Sequence, residues 1–250
     1  MKYNICVPIP VKSAIVSEIA PTIEKVKNLN PDFVELRFDY ISDIQKITKD
    51  FIIDIINRIQ PKIPVICTLR DASEGGQTQI DNNERFQIIK RIIESKPQYF
   101  DIEINTEADM LSEITNLAVN DRVSLIYSFH DFEKTPTYDE AVKDFEDSLK
   151  KLKSKVLIDQ NITEKSIFKQ IYTAQSFEDN LVPLKLCKTK SSNKFKMISF
   201  CMGELGLFSR ILCNFSNSFL TYSSYSEKTA PGQIEITKLR EILDLLNFSI

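Results

Sequence analysis

The chain has 250 residues, and its 32 lysines and arginines nearly balance its 35 aspartates and glutamates. This balance argues against nucleic acid or an anionic membrane surface as the main partner. The 5 cysteines make an odd number without close pairing, so we expect reduced core thiols in a cytoplasmic protein. No stretch approaches the length of a membrane span, and the N-terminus lacks the apolar region of a signal peptide.

Strand-like runs alternate with helix-length amphipathic segments along the whole chain. In chain order, the predicted strands are Tyr3–Pro8, Asp32–Arg37, Pro64–Arg70, Tyr99–Asn105, Val123–His130, Ser166–Thr173, Phe195–Cys201 and Ser218–Ser223. The predicted helices between and after them are Val16–Lys27, Ile44–Arg58, Asn83–Glu94, Glu107–Val119, Tyr138–Lys153, Phe177–Lys185, Leu207–Asn214 and Ile236–Leu246.

This order of elements predicts the fold class. Strands that are each followed by a helix indicate an α/β protein with a parallel sheet and right-handed crossovers. Eight such repeats in a chain of this length predict a (β/α)8 TIM barrel that forms a single domain over residues 1–250. A doubly wound open sheet is the alternative, but Pro8-Ile-Pro10 stands where that fold places a glycine-rich phosphate loop.

Alternating side chains on the strands predict where the functional site lies. In a barrel the apolar face of each strand packs outward against the helices, so the polar face points into the lumen. The polar residues also crowd toward the strand ends at which barrel enzymes place their active sites. The predicted lumen residues are Glu35, Arg37, Thr68, Arg70, Asp101, Glu103, Asn105, Ser128 and His130.

His130 is the only histidine of the chain, and it lies where a strand meets a polar loop. A lone histidine is often a hydrogen-bonded structural residue. Its place at a strand end, and its ability to titrate near neutral pH, favour a catalytic role here. A buried ion-pair network that only closes the barrel is the structural alternative for the polar residues around it, but burying several charges is costly.

Six short motifs together resemble one enzyme family, type I 3-dehydroquinate dehydratase, over residue 3 to about residue 245. They are Glu35-Leu-Arg37-Phe-Asp39, Thr68-Leu-Arg70-Asp-Ala-Ser-Glu74-Gly75-Gly76, Asp101-Ile-Glu103, Ser128-Phe-His130-Asp-Phe-Glu-Lys-Thr-Pro136, Met202-Gly-Glu-Leu-Gly206 with Ser209-Arg210, and Ala230-Pro-Gly-Gln233. The resemblance implies a TIM barrel, usually a homodimer, that removes water from the small molecule 3-dehydroquinate without metal or organic cofactor. It also implies a place in the shikimate pathway, which leads to chorismate and the aromatic amino acids.

The resemblance further implies roles for individual residues. His130 is expected to be the general acid and base, and Glu74 the carboxylate that orients it. The residues expected to hold the substrate are Glu35, Arg37, Arg70, Met202, Arg210, Tyr222, Thr229 and Gln233. Tyr222 and Thr229 stand where the family more often has Phe and Ser. Residues Ser223–Ile234, which include Glu227, Lys228 and Gly232, are expected to form a lid over the bound anion.

The lysine that would form an imine with the substrate is predicted to be Lys169. Residues Ser166–Asp179 resemble the sixth strand of the family, in which a lysine precedes a short apolar run. Lys169 shares a strand face with Ile167 and Ile171, so a barrel places it in the lumen. Lys165 is predicted to lie in a loop. The chain is longer than the family pattern between His130 and Lys169, and we expect the extra residues at Lys153–Lys165.

These residue types suit imine chemistry independently of the resemblance. An amine must be neutral to attack a ketone, and burial beside arginines disfavours the ammonium form. The protonated imine then acidifies the adjacent carbon, and imidazole can take that proton and return one to the departing hydroxyl. A guanidinium such as that of Arg210 pairs well with a substrate carboxylate, whereas Arg240 is expected on a solvated helix face.

Two other functions are compatible with the same residues. A class I aldolase also places an imine-forming lysine in a barrel, but it needs neither the His130 loop nor three convergent arginines. A catalytically silent paralogue that binds a carboxylate metabolite is the alternative outside enzymes. Turnover, measured as absorbance of the enone product, distinguishes the dehydratase from both.

Overall fold

The computed structural model describes residues 3–155, 166–192, 195–226 and 229–247. Within them, strands alternate with helices in the predicted order. The strands are β1 (Ile5–Pro10), β2 (Phe33–Arg37), β3 (Val65–Thr68), β4 (Tyr99–Glu103), β5 (Ser124–His130), β6 (Ile167–Thr173), β7 (Lys196–Met202) and β8 (Thr221–Tyr222). The helices are α1 (Val16–Asn28), α2 (Lys49–Asn57), α3 (Asn82–Glu94), α4 (Ala108–Asn120), α5 (Tyr138–Lys155), α6 (Leu181–Lys190), α7 (Leu207–Leu212) and α8 (Ile236–Asn247).

The eight strands form one parallel sheet in sequential order, with β8 next to β1. A parallel bridge between Met197 of β7 and Ser218, just before β8, nearly closes the sheet into a barrel. Sequential order around a closed sheet is the (β/α)8 arrangement. The predicted TIM barrel is therefore confirmed, and the doubly wound alternative is wrong because the strand order never reverses.

Two buried clusters divide the core as the strand alternation predicts. Outward-facing residues such as Val34, Leu36 and Phe100 pack against the surrounding helices. Lumen residues such as Ile66, Ile126 and Ile198 form a second cluster inside the barrel. Each fully buried aliphatic side chain stabilises the fold by about 1.5–3 kcal/mol. The apolar lower lumen gives the polar upper end a rigid base.

Capping residues set where the helices near the site begin. Thr48 accepts a hydrogen bond from the backbone of Phe51 at the start of α2, and Asp81 accepts one from Asn83 at the start of α3. Such caps contribute about 1 kcal/mol each. The predicted helix at Ile44–Arg58 is divided, because a 3-10 turn at Ile44–Lys46 precedes α2.

Three further expectations concern particular residues. All five cysteines are buried and unpaired. Arg240 is half-buried and donates to the backbone carbonyls of Leu29 at 3.0 Å and Asn30 at 2.9 Å. The expectation of a solvated Arg240 is therefore wrong, because its guanidinium binds the end of α1. Lys165 and most of the predicted surplus at Lys153–Lys165 lie outside the described residues.

None of the helices in the described ranges has both the length and the apolar composition that crossing a membrane requires.

Candidate active site

A cavity of about 270 Å³ opens at the carboxyl end of the barrel. This volume is at the small end of the range for ligand sites, which is roughly 300–1,000 Å³, so it suits a small substrate. All eleven predicted site residues line it. They are Glu35, Arg37, Arg70, Glu74, His130, Lys169, Met202, Arg210, Tyr222, Thr229 and Gln233.

Lys169 lies at the base of this cavity and is 5% exposed. It points into the lumen because it alternates along β6 with outward-facing Phe168 and Gln170. Its Nζ lies 2.9 Å from Oδ2 of Asp101 and 3.4 Å from the hydroxyl of Tyr222. Burial opposes ionisation of Asp101, but Arg70 and Lys169 hold the pKa of that carboxyl well below its usual range. The amine is thus one partner of a buried ion pair.

The guanidinium of Arg70 binds two carboxylates. Its Nη2 donates to Asp101 at 2.8 Å, and its Nη1 donates at 2.7 Å to both Glu103 and Ser128. The hydroxyl of Ser128 in turn donates to Asp101 at 2.6 Å. Both terminal nitrogens of Arg70 are therefore occupied by protein groups. These bonds fix Asp101 beside Lys169. Arg70 also lines the cavity, and its contact with the substrate stays a prediction.

His130 faces Glu74 across the cavity wall. Nδ1 of the imidazole lies 3.0 Å from Oε2 of Glu74, and the backbone N–H of His130 donates to the same oxygen at 3.1 Å. Glu74 is placed by a 3-10 turn, Ala72–Glu74, which ends at Gly75 with φ of 86°. A Cβ on Gly76 would lie 2.1 Å from the backbone oxygen of Arg70, which explains why glycine is needed there.

The surroundings of this pair favour its uncharged forms. Burial raises the pKa of Glu74 to about 8; Arg70 opposes the rise, and Glu103 adds to it. Burial also lowers the pKa of His130 well below its usual value, and the positive charges of Arg70 and Lys169 add to that effect. The imidazole is therefore neutral at neutral pH, which is the form that accepts a proton.

Arg210 is a buried cation without a carboxylate partner among the described residues. Only 1% of it is exposed. Its Nη2 donates to the backbone oxygen of Pro231 at 3.1 Å, its guanidinium lies 4.4 Å from the ring centre of Phe200, and its Nε has no partner in the described ranges. Burial lowers the pKa of Arg210 to about 10. Such a group attracts an anionic ligand, because an anion would compensate the buried charge.

The remaining polar groups of the cavity already have partners. Arg37 makes two hydrogen bonds of 2.8 Å with Asp39, and Glu35 accepts one of 2.7 Å from Thr68. The backbone N–H of Thr229 donates to Oε1 of Gln233 at 2.9 Å, and Nε2 of Gln233 donates to the hydroxyl of Thr229 at 3.1 Å. Part of the predicted lid thus lines the cavity, whereas its Glu227 and Lys228 lie outside the described residues.

This arrangement of lysine, histidine and arginines can be compared with known proteins. A model of the family "Type I 3-dehydroquinase" matches residues 5–249. The chain belongs to this family. A 3-dehydroquinate dehydratase of Methanococcus maripaludis is 33% identical over 247 residues, which cover 97% of this chain and all of that protein. One of Listeria monocytogenes is 29% identical, over 98% of this chain and 92% of its own length.

Solved structures of the family agree with the fold. The type I enzyme of Clostridium difficile superposes with a TM-score of 0.83 at 25% identity and covers 100% of this chain and 94% of its own. The 3-dehydroquinate dehydratase of Geobacillus kaustophilus, at 23% identity, gives 0.84 and covers 99% and 92%. With its family shown, this chain is an enzyme of the hydro-lyase class.

Several residues near the site were not assigned by sequence reasoning. The strand pattern places Asp101 in the lumen without indicating its role, and the structure shows that it contacts Lys169 directly. Phe132 and Gln77 also line the cavity. Arg85 of α3 is buried against Glu103 and had no signal, because it is one charge in a charged helix. In the part of the chain that the structure describes, no group of three His, Cys, Asp or Glu side chains could hold a metal ion.

Proposed function

We propose that this enzyme dehydrates 3-dehydroquinate to 3-dehydroshikimate through an imine formed with Lys169. One observation carries the proposal: a lysine amine, an imidazole and a guanidinium without a carboxylate partner in the described ranges face the same cavity of about 270 Å³. The family supports the same reaction, since its curated relatives are named 3-dehydroquinate dehydratase. Neither a class I aldolase nor a silent paralogue gains support from a particular contact in the site.

Each of the three groups takes one part of the reaction. The carboxylate of the substrate pairs with Arg210, which places the ring ketone over Lys169. The neutral amine attacks this ketone, and the carbonyl oxygen leaves as water to give a protonated imine. The imine withdraws electrons from the neighbouring carbon, which makes its proton removable.

His130 then moves the protons. Its imidazole takes the proton from the carbon next to the imine and returns a proton to the hydroxyl that departs as water. Glu74 holds the ring at Nδ1, so that Nε2 faces the substrate. Water finally hydrolyses the imine, which releases the enone product and restores Lys169. Arg70 and Ser128 keep Asp101 beside the amine throughout.

Borohydride reduction in the presence of 3-dehydroquinate tests this assignment. We expect the reduced adduct on the peptide that contains Lys169, and Lys169→Ala should lose both the adduct and formation of the enone absorbance. Lys188→Ala is the matched control, because Lys188 is exposed on α6. An adduct on any other lysine would contradict the role of Lys169, and absence of turnover in the wild-type protein would favour the silent paralogue.

We also propose that the protein is a cytoplasmic homodimer that serves the shikimate pathway. Exposed apolar side chains support a contact with a second copy: the rings of Phe177 and Phe208 pack at a tilt with centres 5.0 Å apart, and Leu181 and Leu205 are at least half exposed. Apolar surface of this kind is typical of protein interfaces. Light scattering at micromolar concentration should give twice the mass of the chain, and a single-chain mass would contradict the assembly.

A further inference from the structure

Arg85 of α3 lies at the outer end of a chain of alternating charges that leads to Lys169. Its Nη2 donates to Oε2 of Glu103, and its side chain is 9% exposed. Glu103 binds Arg70 at 2.7 Å, Arg70 binds Asp101 at 2.8 Å, and Asp101 binds Lys169 at 2.9 Å. The chain therefore connects a helix outside the barrel with the amine at the base of the cavity.

Arg85 does not line the substrate cavity. It lines a separate cavity of about 150 Å³ between α3 and α4, and Glu103 lies on the wall of that second cavity. The guanidinium also donates to the backbone oxygen of Leu69 at 2.9 Å, and this bond ties α3 to the end of β3. Arg85 therefore reaches the site only through its neighbours: Glu103, which is the one that binds Arg70, the backbone of Leu69, and Asp71, whose Oδ2 lies 3.7 Å from Nε of Arg85.

We propose that Arg85 is a positioning residue that holds Glu103 behind Arg70 and thereby keeps the amine of Lys169 reactive. The two oxygens of Glu103 are divided between two cations: Oε1 accepts from Arg70, and Oε2 accepts from Arg85. This division leaves Nη2 of Arg70 free to bind Asp101. The proposal rests on the proposed role of Lys169 as the nucleophile.

Loss of Arg85 would favour the ammonium form of Lys169 in two ways. Without Arg85, Glu103 would draw both nitrogens of Arg70 to itself, and Asp101 would then bind Lys169 with less competition. The network would also lose one positive charge, which favours the ammonium form of the amine. The titratable and charged groups around Lys169 from the other strands are Cys6, Glu35, Arg70, Asp101, His130 and Tyr222, with Arg210 facing the same cavity.

Amine labelling in the absence of substrate tests the proposal separately from the reaction. Acetic anhydride acylates an amine only in its neutral form, so peptide mass spectrometry at a series of pH values gives the pH of half-modification of Lys169. In Arg85→Met this pH should rise by about 0.5–1 unit, the scale of one charge beyond direct contact at an effective dielectric constant of about 20. Arg85→Lys should restore most of the difference.

Catalysis gives the second measurement. At pH 7, kcat/KM of Arg85→Met should fall about 3- to 10-fold and recover toward the wild-type value at pH 9. Lys90→Met removes the same charge from the outer face of α3, where Lys90 pairs with Glu113, and should change neither measurement. If the wild-type protein forms no adduct at Lys169 with 3-dehydroquinate, the proposed function fails, whereas the labelling result still decides the role of Arg85.

A double variant distinguishes a positioning role of Arg85 from general damage to the fold. Arg85→Met with Glu103→Gln removes one positive and one negative charge, so the labelling pH of Lys169 should return close to the wild-type value. An unchanged labelling pH in Arg85→Met would overturn the proposal, as would a loss of kcat/KM that is equal at all pH values. Failure of the double variant to restore the labelling pH would overturn it as well.

Discussion

Arg210→Met is expected to stabilise the folded protein and to weaken substrate binding, two effects of opposite sign from one side chain. Arg210 is 1% exposed and has no carboxylate partner among the described residues. The free protein therefore holds a buried charge that only a ligand would compensate. Methionine has an unbranched stem of similar shape and carries no charge.

The lowered pKa of Arg210 gives the magnitude of the stability effect. Burial lowers this pKa well below its usual value, to about 10. At about 1.36 kcal/mol per pH unit, holding the charge costs about 3 kcal/mol. Loss of the hydrogen bond to Pro231 and of the contact with the Phe200 ring offsets about 1–2 kcal/mol of this. The free energy of unfolding should therefore rise by about 1–2 kcal/mol in Arg210→Met.

Binding should change in the opposite direction. Removing one partner of a desolvated charge pair costs about 2–5 kcal/mol, so kcat/KM for 3-dehydroquinate should fall at least about 30-fold. Arg240→Met is the matched comparison, because Arg240 donates to the carbonyls of Leu29 and Asn30 far from the cavity. It should lower the free energy of unfolding by about 1–3 kcal/mol and leave kcat/KM unchanged.

Urea unfolding at pH 7 and steady-state kinetics on the two variants measure both quantities. The reasoning is refuted if Arg210→Met is destabilised like Arg240→Met, because Arg210 would then have a partner in the free protein. It is also refuted if kcat/KM of Arg210→Met falls less than about threefold. In that case the substrate carboxylate is bound elsewhere.

Two further predictions concern the histidine and its partner. His130→Ala should keep the fold and substrate binding but lower kcat at least about 100-fold; a variant with more than a tenth of the wild-type kcat would remove His130 from the mechanism. Because burial raises the pKa of Glu74 from 4.5 to about 8, its contribution to stability is full below pH 4.5 and is lost as the pH rises to about 8. The lowered pKa of His130 makes stability rise with pH, but only below about pH 6.5. The free energy of unfolding of the wild-type protein should therefore fall by about 2 kcal/mol between pH 6.5 and 8. Glu74→Gln should not show this loss in urea unfolding, and parallel pH profiles for the two proteins would contradict the role of burial.

Local patterns in the sequence determined the fold and the place of the site. Alternation of apolar and polar side chains has a period of two residues, so each strand by itself shows which residues face the helices and which face the lumen. This is why Glu35, Arg37 and His130 were placed correctly in one cavity, and why the order of strands and helices predicted the barrel. The segments that resemble the family added Lys169 and Arg210, which lie on β6 and α7 and face the same cavity.

Only the tertiary structure decided which charges pair. Lys169 and Asp101 lie 68 positions apart in the chain, and Arg85 of α3 reaches Glu103 at the end of β4. The alternation of residues along one strand shows that a side chain points inward. The residue that this side chain contacts depends on the register and tilt of strands that are distant in sequence. Arg70 and Arg210 look equivalent in the sequence, yet Arg70 binds two carboxylates whereas Arg210 binds none among the described residues. Only the closed barrel sets their distances to the acidic residues.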